Sequence, residues 1–140
     1  MNNSINEFGS APHLVELNSI GDSSEGYITV AEAEKSIPYV IKRIYWTYYT
    51  PQNVIRGHHA HKELKQVIFA VSGIIKFTLE NHLGEKQEFT LDKPNKGLYI
   101  PPFTWREINF SHNAVLICFA SEWYSEEDYI RDYNSFRNGN

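Results

Sequence analysis

Arg56-Gly-His-His-Ala-His-Lys-Glu-Leu-Lys-Gln-Val-Ile-Phe-Ala-Val-Ser-Gly73 is the stretch on which the reading of this chain turns. Three of the chain's six histidines fall within it, immediately before a strongly apolar run. Side chains alternate across a strand, so the H-x-H spacing puts His59 and His61 on one face and His58 on the other. Two imidazoles on an inward face are metal ligands, a proton-transfer pair, or hydrogen-bonded structural groups. The rest of the chain has to choose among these.

Outward from that stretch, short runs rich in Val, Ile, Tyr, Phe and Thr alternate with turn signals such as T-P-Q-N, D-K-P-N-K-G and F-S-H-N. This rhythm predicts an all-β fold. Strands are expected at Gly26–Glu34, Val40–Thr50, Leu64–Ser72, Ile74–Glu80, Lys86–Leu91, Gly97–Ile100 and Ala114–Ala120. The segment N81-H-L-G-E-K between two of them reads as a hairpin connection, with Gly84 supplying positive φ. One helix is expected at the end of the chain. Ser125 would cap it, Glu126, Glu127 and Asp128 would fill the first turn, and Tyr129, Ile130, Tyr133 and Phe136 would share a face. Antiparallel strands on this length suit a sandwich or jelly roll closed around a small cavity.

The composition is that of a globular protein: 140 residues, 41% hydrophobic, 21% charged and a formal net charge of −4. Residues 1–140 read as one domain, with 1–12 expected to be flexible and without an assigned role. Nothing in the charge balance points to nucleic acid or an anionic membrane surface. The single cysteine, Cys118, lies in the apolar run V-L-I-C-F-A and reads as a buried, inert thiol. A lone cysteine favours a reducing compartment. No apolar run approaches the roughly 18 residues of a membrane span, and the N-terminus lacks the features of a signal peptide. A cytoplasmic location is therefore expected.

Gly57, the H-x-H pair, Gln66 and Gly73 resemble the first motif of the cupin superfamily, and G97-L-Y-I-P-P-F-T-W-R-E-I-N109 resembles the second. The resemblance implies a jelly-roll barrel. Metal-binding cupins carry a Glu where Gln66 stands and a third His where Arg106 stands. An amide is a poor ligand, and a guanidinium cannot coordinate at all. No metal is expected, and the histidines read as acid–base groups.

Further segments narrow the resemblance: I-K-R-I-Y (Ile41–Tyr45), R-G-H-H-A-H (Arg56–His61), G-L-Y-I-P (Gly97–Pro101), W-R-E (Trp105–Glu107) and A-S-E-W-Y-S-E-E-D-Y-I-R-D-Y (Ala120–Tyr133). Together they resemble the nucleotide-sugar 3,4-ketoisomerases, which act on dTDP-4-keto-6-deoxyglucose on the way to dTDP-3-amino-3,6-dideoxyhexoses of lipopolysaccharide or S-layer glycans. Relatives usually carry W-H-E where this chain has Trp105-Arg106-Glu107.

The resemblance implies carbonyl migration from C4 to C3 through an enediol, without cofactor, with the chemistry carried by His59 and His61. Tyr45 is a candidate third catalytic group. Arg43, Arg56 and Arg106 are candidates to hold the diphosphate or polarise the keto group, and Tyr99 and Trp105 to stack on the thymine. It also implies a homodimer exchanging N-terminal strands, and a pyridoxal-phosphate aminotransferase as the next enzyme of the pathway. Two other readings stay open at this point: a metal-free nucleotide-sugar 3,5-epimerase and a non-catalytic sugar-nucleotide-binding cupin. A metal-dependent oxygenase is disfavoured by Gln66 and Arg106.

Overall fold

The computed structural model describes residues 8–139. Its strands are β1 (His13–Glu16), β2 (Ser19–Asp22), β3 (Gly26–Thr29), β4 (Arg43–Thr47), β5 (Ile55–His61), β6 (Gln66–Ser72), β7 (Ile75–Glu80), β8 (Lys86–Leu91), β9 (Lys96–Ile100), β10 (Trp105–Phe110) and β11 (Val115–Ala120). A 3-10 turn (Glu126–Asp128) then leads into β12 (Tyr129–Ile130) and a short helix, α1 (Tyr133–Arg137). One five-stranded sheet runs β1-β9-β6-β11-β4 and a second runs β12-β5-β10-β7-β8, while β2 and β3 form a separate hairpin. This is the expected all-β jelly roll with a short C-terminal helix.

Strand parity explains why apolar residues occupy both faces. Ile68 and Ala70 of β6 point between the sheets with Phe77, Leu79, Leu98, Ile108, Phe110 and Leu116. Val67 and Phe69, one residue out of phase, pack on the outer face of the first sheet with Ile37, Tyr39 and Tyr99. A run buried on both sides must be apolar throughout, which is why Q-V-I-F-A reads as continuous rather than alternating. Each fully buried Leu, Ile or Phe contributes about 1.5–3 kcal/mol relative to exposure. The outer face of the second sheet is covered by the C-terminal segment, where Ile130 and Phe136 pack on Ala60 and Trp105.

Several expected bounds are corrected. The strand read as Val40–Thr50 ends at Thr47, and Tyr48 and Tyr49 beyond it are exposed. The strand read as Gly26–Glu34 stops at Thr29. The hairpin at Asn81–Lys86 forms, with Gly84 at φ 87°.

The helix expected from Ser125 does not form as one element. Ser125 makes no side-chain cap, and residues 129–130 extend to pair with β5, Tyr129 opposite His61 and Ile130 opposite Ala60. The real cap is Asp132, whose carboxylate accepts from the Ser135 N–H at 2.8 Å. Pairing with an open sheet edge outweighed a local helical pattern.

Of the residues 1–12 given no role, 1–7 lie outside the described residues. Phe8 packs edge-on against Tyr99 at 5.0 Å.

Candidate active site

The site is built on a bulge in β5. Arg106 of β10 sits opposite His59, but the next residue, Glu107, sits opposite Gly57, so His58 is the extra residue. Gly57 and His58 both adopt left-handed backbone, at φ 97° and 56°. A Cβ on Gly57 would lie 2.6 Å from the Arg106 carbonyl oxygen, so only glycine permits this approach of the two strands. The bulge turns His58 outward to solvent, 3.6 Å from Glu107, and leaves His59 and His61 side by side with ring centroids 4.9 Å apart.

Hydrogen-bond chemistry sets the tautomer of each ring. His59 Nδ1 lies 3.0 Å from the Gly57 carbonyl oxygen. A carbonyl only accepts, so Nδ1 carries the hydrogen and Nε2 keeps its lone pair. His61 Nδ1 lies 3.0 Å from Asp128 Oδ2, so the same assignment holds there. Asp128 is itself fixed, since its Oδ1 accepts from the Glu63 N–H at 2.8 Å and its carbonyl from the Lys62 N–H at 2.9 Å. Both imidazoles therefore offer a free Nε2. Burial, and after it the Arg106 guanidinium, pushes His59 down to about 4 and holds His61 further below the usual imidazole range. At neutral pH both are unprotonated bases.

Beside them opens a cavity of about 360 Å³, walled by Arg43, Tyr45, Arg56, His59, Tyr129 and Arg131. An acidic chain thus gathers three arginines around one pocket. The Tyr129 ring stacks at a tilt on both histidines, 5.0 Å from His59 and 4.3 Å from His61, and the Arg131 guanidinium lies over the same ring at 4.0 Å. Arg43 lies 5.6 Å from the Tyr45 ring, and the two share one face of β4.

The structure thus brings together His59, Tyr45, Arg43 and Arg56, with His61 directly behind His59. Arg106 does not line the cavity. It is 2% exposed and packs behind the histidines, donating from Nη1 to Gln66 Oε1 and from Nη2 to the Thr104 carbonyl at 3.1 Å. Strand parity sends Tyr99 and Trp105 elsewhere. Tyr99 is out of phase with the inward Leu98 and Ile100 and packs on the outer face beside Phe8 and His13. Trp105 lies one residue before the inward-facing Arg106 and stacks on Tyr133 and Phe136.

Sequence reasoning missed Asp128, Tyr129 and Arg131 as site residues. The signal was present: Tyr129 and Arg131 are two apart and share a face of an extended segment. A helical assignment hid it.

The donor set does not fit a metal. Gln66 and Arg106, at the positions where metal-binding cupins carry ligands, are hydrogen-bonded to one another. Among the described residues no group of three or more His, Cys, Asp or Glu side chains is placed to hold an ion. The Cys118 thiol is buried beside them and pushed up to about 11 by that burial, which suits the inert reading. No helix among the described residues is long and apolar enough to cross a membrane.

Known proteins resemble the chain in both sequence and fold. Residues 10–140 match the family model described as "FdtA: WxcM-like, C-terminal". The chain is 41% identical over 115 residues to the TDP-4-oxo-6-deoxy-alpha-D-glucose-3,4-oxoisomerase of Aneurinibacillus thermoaerophilus, covering 81% of this chain and 82% of that one. Among solved structures it resembles a 3,4-ketoisomerase from Helicobacter canadensis, with TM-score 0.87, 38% identity, and 94% and 98% of the two chains covered. It also resembles a histidine-to-asparagine variant of the 3,4-ketoisomerase QdtA from Thermoanaerobacterium thermosaccharolyticum in complex with TDP-4-keto-6-deoxyglucose. There the TM-score is 0.87, the identity 36%, and the coverage 91% and 92%.

Proposed function

This chain belongs to the FdtA, WxcM-like C-terminal family, and from that premise we propose that it moves the carbonyl of dTDP-4-keto-6-deoxyglucose from C4 to C3. The observation that carries the reading is the His59 imidazole on the cavity wall, neutral and with Nε2 free, among three arginines and two tyrosines.

His59 takes the proton from C3. The C–H pair becomes the C3=C4 bond and the C4 carbonyl pair moves onto O4, giving an enediolate. O4 takes up a proton, O3 loses one, C3=O forms, and C4 receives a proton to complete the isomer. No electron leaves or enters the substrate, so no redox cofactor is required. Tyr45, Thr47 and Tyr129 supply the neutral hydroxyls of the cavity lining, and donors aimed at a developing oxyanion are usually the largest catalytic contribution in such reactions. His61, held by Asp128, is the second proton carrier beside His59. Arg43, Arg56 and Arg131 suit a diphosphate, whose oxygens they can fork in pairs.

The product carries its ketone at C3, suited to a pyridoxal-phosphate aminotransferase as the next enzyme of the pathway. A second copy of the chain is expected against the outer face of β4 and the β2–β3 hairpin. Ile44, Trp46, Ile20, Tyr27 and Ile28 stand between 50% and 64% exposed there.

Substrate carrying carbon-13 at C4 tests the reading. Isomerisation turns the labelled carbonyl resonance into a carbinol resonance. A labelled carbon that stays a ketone while its neighbours exchange identifies an epimerase, and a bound but unchanged spectrum identifies a binding protein.

A further inference from the structure

We propose that Gln66 and Arg106 are positioning residues that make Tyr45 a hydrogen-bond donor into the cavity, through a chain of two hydrogen bonds running Arg106 to Gln66 to Tyr45. The inference rests on the isomerase reading of the cavity. It adds a function for two side chains that touch neither the cavity nor a metal.

Arg106 and Gln66 are 2% and 1% exposed, side by side between the two sheets. Arg106 forms no ion pair among the described residues, and its Nε, buried, has no partner. A cation is costly to bury without a carboxylate. Among the described residues its hydrogen bonds go to two carbonyl oxygens, those of Gln66 and Thr104, with the Asp128 carboxylate acting at longer range.

The consequence for Gln66 is directional. A guanidinium only donates, so the Gln66 oxygen must face Arg106 and its NH2 must face away. That NH2 lies 2.8 Å from Tyr45 Oη and 3.3 Å from Cys118 Sγ. The amide cannot flip without setting donor against donor.

Tyr45 Oη therefore accepts from Gln66, and its own hydrogen is left to donate. The Cys118 sulfur lies within hydrogen-bond reach of the phenol as well as of the Gln66 NH2, but it is a weak acceptor that a substrate oxygen displaces. Tyr45 lines the cavity, so a substrate oxygen is the strong acceptor that completes the chain. Hydrogen bonds in series polarise one another, and the buried positive charge at the far end strengthens the phenol as a donor. The negative charge that the chain answers is the one that develops on the sugar oxygen in the enediolate. Two positions that could have held a metal thus deliver positive polarity to the same place by another route.

Gln66→Glu separates this from a packing role. A carboxylate keeps the acceptor for Arg106 and compensates its charge, so the fold is retained. It has no hydrogen to give Tyr45, and instead accepts the phenol hydrogen and draws it out of the cavity. The expected result is a loss in kcat of about 100-fold, of the size seen on deleting one oxyanion donor, with KM within about twofold. Tyr45→Phe should lose a similar factor, and the Gln66→Glu/Tyr45→Phe double variant should be no worse than either alone. Gln66→Met, which removes both links, should be equally non-additive with Tyr45→Phe.

Near-normal kcat in Gln66→Glu, or penalties that multiply in the double variants, overturns the proposal. A readout independent of turnover is the Cζ resonance of carbon-13-labelled Tyr45 in the resting protein. Its displacement in both Gln66→Glu and Arg106→Met supports the chain, and an unmoved resonance overturns it. If the native protein fails to isomerise the substrate, the functional reading falls while this resonance still decides the hydrogen-bond chain.

Discussion

Replacing Asp128 by Asn removes a charge while keeping the shape, and the geometry fixes the consequence. Both carboxylate oxygens of Asp128 are acceptors in use, Oδ1 for the Glu63 N–H at 2.8 Å and Oδ2 for His61 Nδ1–H at 3.0 Å. An amide has one oxygen. If that oxygen stays with Glu63, the NH2 faces His61 Nδ1 and the ring must shift its hydrogen to Nε2, losing the free lone pair. If the amide turns the other way, His61 keeps its tautomer and the Glu63 N–H loses its partner. An orphaned donor costs about 1–3 kcal/mol when buried. Glu63 is exposed, so water offsets part of that, and about 1–2 kcal/mol is the appropriate range. At about 1.4 kcal/mol per factor of ten, the wrong tautomer is favoured by roughly 5- to 30-fold. Asp128→Asn should therefore lose about 5- to 30-fold in kcat with KM little changed. Long-range proton–nitrogen correlations should show the His61 hydrogen moving from Nδ1 to Nε2. A variant with kcat within twofold of native and His61 still protonated on Nδ1 would refute the reasoning.

The acid limb of the kcat/KM profile should fall well below 6.5, because burial and Arg106 bring His59 to about 4. The same shift governs stability: the folded state resists protonating His59, so its contribution is complete above about 6.5 and is lost as pH falls toward 4. Urea titrations at several pH values should show that slope, reduced in His59→Gln. Gly57→Ala puts a methyl group 2.6 Å from the Arg106 carbonyl at a φ of 97°, and should cost about 1–3 kcal/mol in urea unfolding, whereas a change under 0.5 kcal/mol would deny the close approach. Trp46→Glu places a charge on the exposed outer face of β4, the face proposed to meet a second copy; light scattering should show the native protein as a dimer and the variant as a monomer, whereas a native monomer denies the dimer and an unchanged dimer places the interface elsewhere.

The barrel was legible in the sequence because period-two patterns and turn residues act locally. Lys86–Leu91 is found as read, the other six expected strands differ at one or both ends, and His13–Glu16, Ser19–Asp22, Trp105–Phe110 and Tyr129–Ile130 were not anticipated. The H-x-H pair was legible for the same reason, since alternation alone puts His59 and His61 on one face. What escaped was long-range pairing. Ser125 to Phe136 carries a helical pattern, yet residues 129–130 complete the sheet beside β5, and that pairing brings Asp128 to a histidine 67 positions away. The face occupied by Tyr99 and Trp105 depends on the register of β9 and β10, which spacing along the chain does not contain. Gln66 and Arg106 were read as two missing ligands, and their hydrogen bond to one another emerges only when β6 and β10 face each other across the barrel.

The central claim is that His59 moves the C3 proton and the carbonyl follows. Proton NMR of native protein and His59→Gln with dTDP-4-keto-6-deoxyglucose in D2O measures this directly. The native protein should give a 3-keto sugar with deuterium at C4, and His59→Gln should leave both the C3 proton and the ketone in place. Undiminished exchange in His59→Gln, or deuterium entering while the ketone remains at C4 in the native protein, would contradict it.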